Sequence, residues 1–260
     1  MTIEIGVILP TSTADPARPI LGDVQASARR AEELGLDSVW STDHLVPSGP
    51  MVDATVVLAT AAAVTDHIRV GFNVMLLSLR PVAWAAKQIA SLQYVSSGRL
   101  LLGVGTGNPV HGDTAWRAVD LPYRTRGQRT DEALRLLPAL VTGRPTTLPD
   151  GVEVTLAPAA AMPPVLIAGN SARARARAAE FGDGWISLGL TPAQVADELP
   201  DGLPATVVAP PLSSDVGAAA AELAAYADAG TERVIIPNAD GGWERTYEHA
   251  AALRSALADR

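Results

Sequence analysis

Val165-Leu166-Ile167-Ala168-Gly169-Asn170-Ser171-Ala172 is the stretch from which the architecture can be worked out. Four apolar residues in a row read as a strand covered on both faces, the pattern of a parallel sheet. Gly169 then breaks the run, and Ser171 can cap a helix beginning at Ala172. A second apolar run follows from Gly184, after Gly182-Asp183. Strand, helix and strand in succession make one βαβ unit.

Outward from this unit, the same alternation fills the chain. Further short apolar runs lie at 3–9, 38–41, 70–75, 100–104, 205–208 and 233–236. Between them, Val24, Ala28, Ala31 and Leu34 recur at helical spacing, and Gly35 closes that helix. Pro81 suits the first position of a third helix, with Ala85, Ile89 and Leu92 on one face. Thr191-Pro192-Ala193-Gln194 joins a capping box to a proline at the first helical position. Helical patterns also cover 53–65, 125–141, 215–229 and 244–257. Eight βα units in this order predict an α/β fold in one domain, a closed (β/α)₈ TIM barrel. An open, doubly wound sheet is the alternative topology. The 260 residues fit a barrel, which typically takes roughly 250. Two connections are long: 105–123, placed to cover the site after the fourth strand, and 143–164. In the second, Val152, Val154 and Leu156 alternate as in a small extra strand.

Composition excludes several functions. The formal charge is −8, Lys87 is the only lysine, and no basic stripe exists to follow a nucleic-acid backbone. The absence of cysteine rules out disulfides, thiolate metal sites and a Cys nucleophile. No two histidines have metal-ligand spacing, so no metal is expected. Lys87 falls inside a helical pattern and not at a strand end, which argues against Schiff-base chemistry. Met1-Thr2-Ile3-Glu4 lacks the basic and apolar regions of a signal peptide. The longest apolar stretch, 54–64, is too short to span a bilayer. The expectation is a cytoplasmic protein without a membrane partner. The helical pattern 53–65 is apolar or small on nearly every face, where a barrel helix should show water a polar stripe. It reads either as a well-covered helix or as a homodimer interface with Val57 facing the second copy.

In a barrel of this kind, the loops after the strands build the site. The second strand ends in Thr42-Asp43-His44, a carboxylate beside an imidazole. The third runs into Asn73-Val74-Met75, and the fourth into Gly105-Thr106-Gly107-Asn108. After Ala168-Gly169-Asn170-Ser171, the helix N-terminus offers free N–H groups and a positive dipole end to an anion. Arg173 and Arg177, one turn apart, can add charge there. Plainer readings stand beside these: a capping Asp next to a structural His, and an ordinary strand-to-helix turn. The glycines at 103, 105 and 107 lack the third glycine of a dinucleotide fingerprint. His67 precedes the third strand and belongs to the opposite end. His249 reads as a solvated position on the last helix, and His111, in the long loop, has no assigned role.

Taken together the segments are more specific. Ala31-Glu32-Glu33-Leu34-Gly35-Leu36-Asp37-Ser38-Val39-Trp40-Ser41-Thr42-Asp43-His44 resembles the opening signature of the bacterial-luciferase-like family of flavin and deazaflavin oxidoreductases. Ile68-Arg69-Val70-Gly71 and Ala86-Lys87-Gln88-Ile89 resemble its third unit, and Gly98-Arg99-Leu100 to Gly107 its fourth. Pro163-Pro164-Val165 to Gly169, with Phe181-Gly182-Asp183-Gly184-Trp185, is similar to its fifth-to-sixth unit. The likeness covers about residues 3 to 188. It implies a noncovalent cofactor, the deazaflavin coenzyme F420 or alternatively FMN, and hydride exchange with a small organic substrate. It further implies that Asp43 and His44 lie near the reactive ring, with His44 as acid–base group and Asp43 hydrogen-bonded to the cofactor. Asn73 and Val74 would form a bulge under the ring, with a non-proline cis peptide between them. Thr106 and Gly107, with Gly169, Asn170 and Ser171, would hold the phosphate end, and Met75, Gly105 and Ala168 would complete the cofactor-binding set.

This chain also departs from the family pattern. Asn108 stands where the sugar-phosphate dehydrogenase branch carries a catalytic glutamate, and Ser48 where it has a tryptophan; both argue against glucose 6-phosphate. The family's Arg-His-Pro run is reduced to Arg80-Pro81, which can displace the start of the third helix. Two readings lie outside this chemistry: a cofactorless hydrolase or lyase using Asp43 and His44, and a family member that binds a ligand without turnover.

Overall fold

The structure, a computed structural model, describes residues 3–11, 23–238 and 242–258. Met1 and Thr2, part of the start read as non-secretory, lie outside them. The first half of the chain forms β1 (Glu4–Ile8), α1 (Val24–Glu33), β2 (Ser38–Ser41), α2 (Ala54–Ala63), β3 (Arg69–Met75), α3 (Val82–Val95) and β4 (Leu100–Val104). The connection after β4 contains a single-turn helix, α4 (Thr114–Arg117), and leads to α5 (Arg126–Val141). A small antiparallel hairpin, β5 (Thr146–Thr147) with β6 (Glu153–Val154), stands outside the main sheet. The second half forms β7 (Val165–Ala168), α6 (Ala172–Phe181), β8 (Gly184–Leu188), α7 (Pro192–Glu198), β9 (Ala205–Val208), α8 (Val216–Asp228), β10 (Thr231–Ile236) and α9 (Trp243–Ala258).

The strands close in the order β1-β10-β9-β8-β7-β4-β3-β2, all parallel. The closed barrel, and not the open sheet, is therefore the topology. Side chains alternate across each strand, and this divides the core in two. The larger part packs helices on the outside of the barrel. A smaller cluster joins Trp40, Leu101, Leu166, Ile186, Val208 and Ile235, which come from six different strands. Only the barrel interior brings such residues together. Trp40 fills much of it, with its indole N–H donating to Ser38 Oγ at 2.8 Å. Gly6 and Gly71 stand on either side. A Cβ built on them would lie 2.5 Å and 2.3 Å from the indole, so the neighbouring strands must lack side chains there.

The N-terminal end of the barrel is tied by hydrogen bonds. Glu32 accepts from the N–H groups of Asp66, His67 and Ile68. Arg99 donates to the carbonyls of Ala62, Thr65 and Ile68, which secures the end of α2. His67 thus sits at the end opposite the strand termini that carry the site. Several expectations need correction. Pro81 is the cap before α3 and not its first residue. Val57 belongs to the core at 2% exposure, whereas Val56 is 57% exposed. His249 is half-buried, and its Nε2 is shielded from water. Among the described residues, no helix is long and apolar enough to cross a membrane.

Candidate active site

The C-terminal ends of β2, β3, β4 and β7 bring most of the expected residues to one mouth. Its floor is apolar: Ile8, Val74 and Ala168 lie partly buried on top of the interior cluster. β3 makes this floor possible. Its pairing with β4 slips between Phe72 and Met75, and the Asn73–Val74 peptide is cis, as the resemblance implies. Gly105 accommodates the result, since a Cβ there would stand 2.4 Å from Val74 Cγ2. Among the described residues the Asn73 amide has no hydrogen-bond partner, although it is half-buried.

Asp43 is engaged differently from the expectation. Its Oδ2 accepts from the Leu76 N–H at 2.9 Å and from Arg80 Nη1 at 2.7 Å, while Oδ1 accepts from Arg80 Nη2 at 2.9 Å. The pair is sheltered, with side-chain exposures of 4% for Asp43 and 16% for Arg80. Burial alone would draw a proton off Arg80, but its hydrogen bonds to Asp43 and that carboxylate's charge hold its pKa above the ordinary value. Arg80 was visible in the sequence only as the remnant of an altered motif. Nothing local shows that it reaches back across the chain to Asp43.

His44 follows Asp43 and is half-buried. Burial, and secondarily His111, push its pKa below the usual imidazole value; Asp43 pulls weakly the other way. The His111 ring meets it edge to face, with centroids 4.9 Å apart and planes at 85°. Sequence reasoning left His111 unassigned because the course of a nineteen-residue connection (105–123) cannot be read from periodicity. The anchor of that connection is Trp116, buried against Leu76 and Leu79, with its indole N–H on Ser78 Oγ at 3.3 Å. Gly107, at φ +87°, lies so close that a Cβ would be 2.4 Å from the Trp116 ring. The glycines at 105 and 107 thus make room for the protein's own Val74 and Trp116. Asn108 caps the turn of Pro109–His111 by accepting from Val110 N–H at 3.1 Å.

At β7, Gly169 has φ +128° and its carbonyl accepts from the Trp185 indole at 2.8 Å. Asn170 is committed to β8: its amide donates to Leu188 O at 2.8 Å and accepts from Leu188 N–H at 3.0 Å. Ser171 caps α6 as expected, accepting from Ala174 N–H at 3.2 Å. Arg173 is exposed beside that N-terminus. Arg177 is not available there, because it pairs with Asp131 on α5. Thr106 is half-buried between the two glycines.

Residues 3–203 match the family described as luciferase-like monooxygenase, and the chain belongs to that family. It is 31% identical over 199 residues to an F420-dependent hydroxymycolic acid dehydrogenase of Mycobacterium tuberculosis, covering 68% of this chain and 55% of the relative. It is 37% identical over 124 residues to an F420-dependent glucose-6-phosphate dehydrogenase of Kineococcus radiotolerans, covering 46% and 36%. The chain spans about half the length of the curated relatives it matches. Among solved structures, an F420-dependent secondary alcohol dehydrogenase holding an F420-acetone adduct superposes with a TM-score of 0.82 at 17% identity, over 99% of both chains. The oxygenating constituent of a diketocamphane monooxygenase of Pseudomonas putida, in complex with FMN, gives 0.79 at 14% identity, over 100% of this chain and 99% of that one. These two share the fold.

Proposed function

We propose that the chain is an oxidoreductase that binds coenzyme F420 at the barrel mouth and exchanges a hydride with a small organic substrate. The observation that carries this reading is the pairing of an apolar floor with unpartnered polar groups. Val74 and Ala168 offer a flat surface, and among the described residues the Asn73 amide and the His44 ring beside it have no hydrogen-bond partner. A half-buried polar group without a partner is costly unless a ligand or water satisfies it. The names of the sequence relatives favour the deazaflavin; the fold itself is shared by F420 and FMN proteins and does not choose between them.

When bound, the deazaflavin supplies two-electron hydride chemistry. Val74, with Met75 behind it, supports the ring, and the Asn73 amide is free to hydrogen-bond its edge. Thr106 and the backbone at Gly105 and Gly107 line one side. The Ser171-capped N-terminus of α6, with Gly169 and the Arg173 side chain, favours the phosphate end. Asn170 acts indirectly by joining the ends of β7 and β8. His44, kept uncharged by burial, can accept or return a proton at the substrate. Asp43 is a positioning residue: with Arg80 and Leu76 N–H, it fixes the strand end from which His44 projects.

The protein is further proposed to work as a homodimer. Val56 on α2, with Trp84, Tyr94 and Val95 on α3, leaves large apolar side chains in water on adjacent helices, and such patches mark contact surfaces. Titration of the purified protein with F420 and with FMN tests the cofactor reading.

A further inference from the structure

We propose that His111 is a second substrate-contacting imidazole, and that with His44 it holds the lone oxygen of an uncharged, mainly aliphatic substrate. The proposal rests on the barrel mouth being the active site and adds the class of compound that the site takes.

The two rings meet edge to face at 4.9 Å, yet among the described residues neither exchanges a hydrogen bond with the protein. A neutral imidazole has one N–H donor and one bare nitrogen acceptor. Together the rings offer what a hydroxyl needs, one acceptor and one donor, and a donor for a carbonyl. His111 is held in place by its own segment. The His111 backbone N–H donates to Asn108 O at 3.1 Å, the Gly112 backbone N–H donates to Pro109 O at 3.0 Å, and Trp116 anchors the chain just beyond.

The surroundings of the pair are aliphatic. Leu45 and Val46 follow His44, Val110 precedes His111, and Leu188 ends β8 on the far rim; all four are exposed. One such side chain in water means little. All four lie on segments that follow β2 and β4 or end β8, at the same end of the barrel as the floor of Ile8, Val74 and Ala168, so this end offers a substrate apolar contact surface. The charges closest in sequence to the two rings are acidic, Asp43 and Asp113, and the first cation along the His111 segment is the exposed Arg117 on α4. Asp43 is neutralised by Arg80, Asp113 follows Gly112, and Arg175 and Arg177 are spent on Glu198 and Asp131. The exposed Arg173 stands at the α6 N-terminus, the end assigned to the cofactor phosphate.

The chain has four histidines, so their ring proton resonances can be assigned from four single His→Gln variants. Cyclohexanol, cyclohexanone and glucose 6-phosphate are then titrated into the protein with and without F420, and F420 affinity is read by fluorescence on the same samples. The expected result is that both neutral compounds shift the His44 and His111 resonances together, while glucose 6-phosphate moves neither. His111→Phe keeps an aromatic ring without its nitrogens and should bind cyclohexanol about tenfold more weakly, the usual scale for one lost hydrogen bond. Shifts confined to His44, no response to either neutral compound, equal binding by the Phe variant, or a sugar-phosphate response at both rings would each overturn the proposal. F420 binding with a silent His111 would sink this inference alone, whereas absence of F420 binding would sink the cofactor reading.

Discussion

Arg80 grips both carboxylate oxygens of Asp43, at 2.7 and 2.9 Å, and so ties the turn before α3 to the end of β2. It also approaches Asp53, the cap of α2, at 3.9 Å. One guanidinium therefore joins both ends of the β2–α2 connection to the β3–α3 connection beneath the mouth. Removing one member of a buried pair leaves the other charge uncompensated, which typically costs about 3–5 kcal/mol. Asp43→Ala should lower the urea-unfolding free energy on that scale. Arg80→Lys should recover only part of the loss, because an ammonium cannot match the two-pronged contact. Wild-type stability in Asp43→Ala would show that the pair does not hold this end of the barrel.

The depressed His44 pKa gives a pH dependence with a defined sign. The unfolded chain takes up this proton near the ordinary value of 6.5, and the folded protein only at lower pH. Stability from the neutral ring is thus fully present above 6.5 and is lost as pH falls through the folded pKa. Unfolding midpoints measured between neutral and mildly acidic pH should fall more steeply for the wild type than for His44→Ala. The same variant should lose about 10² or more in turnover, the usual size of an acid–base contribution, with F420 affinity nearly kept. Full turnover would make His44 a structural rim residue.

Gly107 combines φ +87° with contact against Trp116. Alanine in this left-handed region costs roughly 1–2 kcal/mol before any clash is counted, and its methyl group must also displace the indole. Gly107→Ala should loosen segment 105–123, seen as a shift in tryptophan emission and weaker F420 binding. Unchanged emission would mean that Trp116 does not depend on this contact.

For the dimer, the informative position is Val56 and not Val57. An arginine at Val57 would disrupt the core and unfold the protein whatever its assembly. Val56→Arg and Trp84→Glu should instead give a folded monomer in sedimentation, with the circular dichroism of the parent. A wild-type protein that sediments as a monomer at micromolar concentration contradicts the interface.

What the sequence disclosed follows from the range of the forces involved. Strand runs such as Val165–Ala168 and caps such as Ser171 are set by neighbours within a turn or two, and they are legible. Val57 and Val56 are not distinguishable in this way, because a helix apolar all round does not reveal which face the barrel covers. The Asp43–Arg80 pair spans 37 residues, and the meeting of His44 with His111 depends on where Trp116 anchors a long connection. Nor does the sequence show that the Asn73 amide, at the slipped end of β3, finds no hydrogen-bond partner among the described residues. Reading the mouth from sequence thus identified the strand ends correctly, but not which side chains there are already taken by the protein.

The most direct test is a fluorescence titration of the cofactor-free protein with F420 and, separately, with FMN under the same conditions. The account predicts saturable F420 binding at one site per chain, tighter than FMN, and weakened by Val74→Asp, which would set a charge in the apolar floor. FMN binding more tightly, purification with bound FMN, or indifference of F420 affinity to Val74→Asp would contradict it.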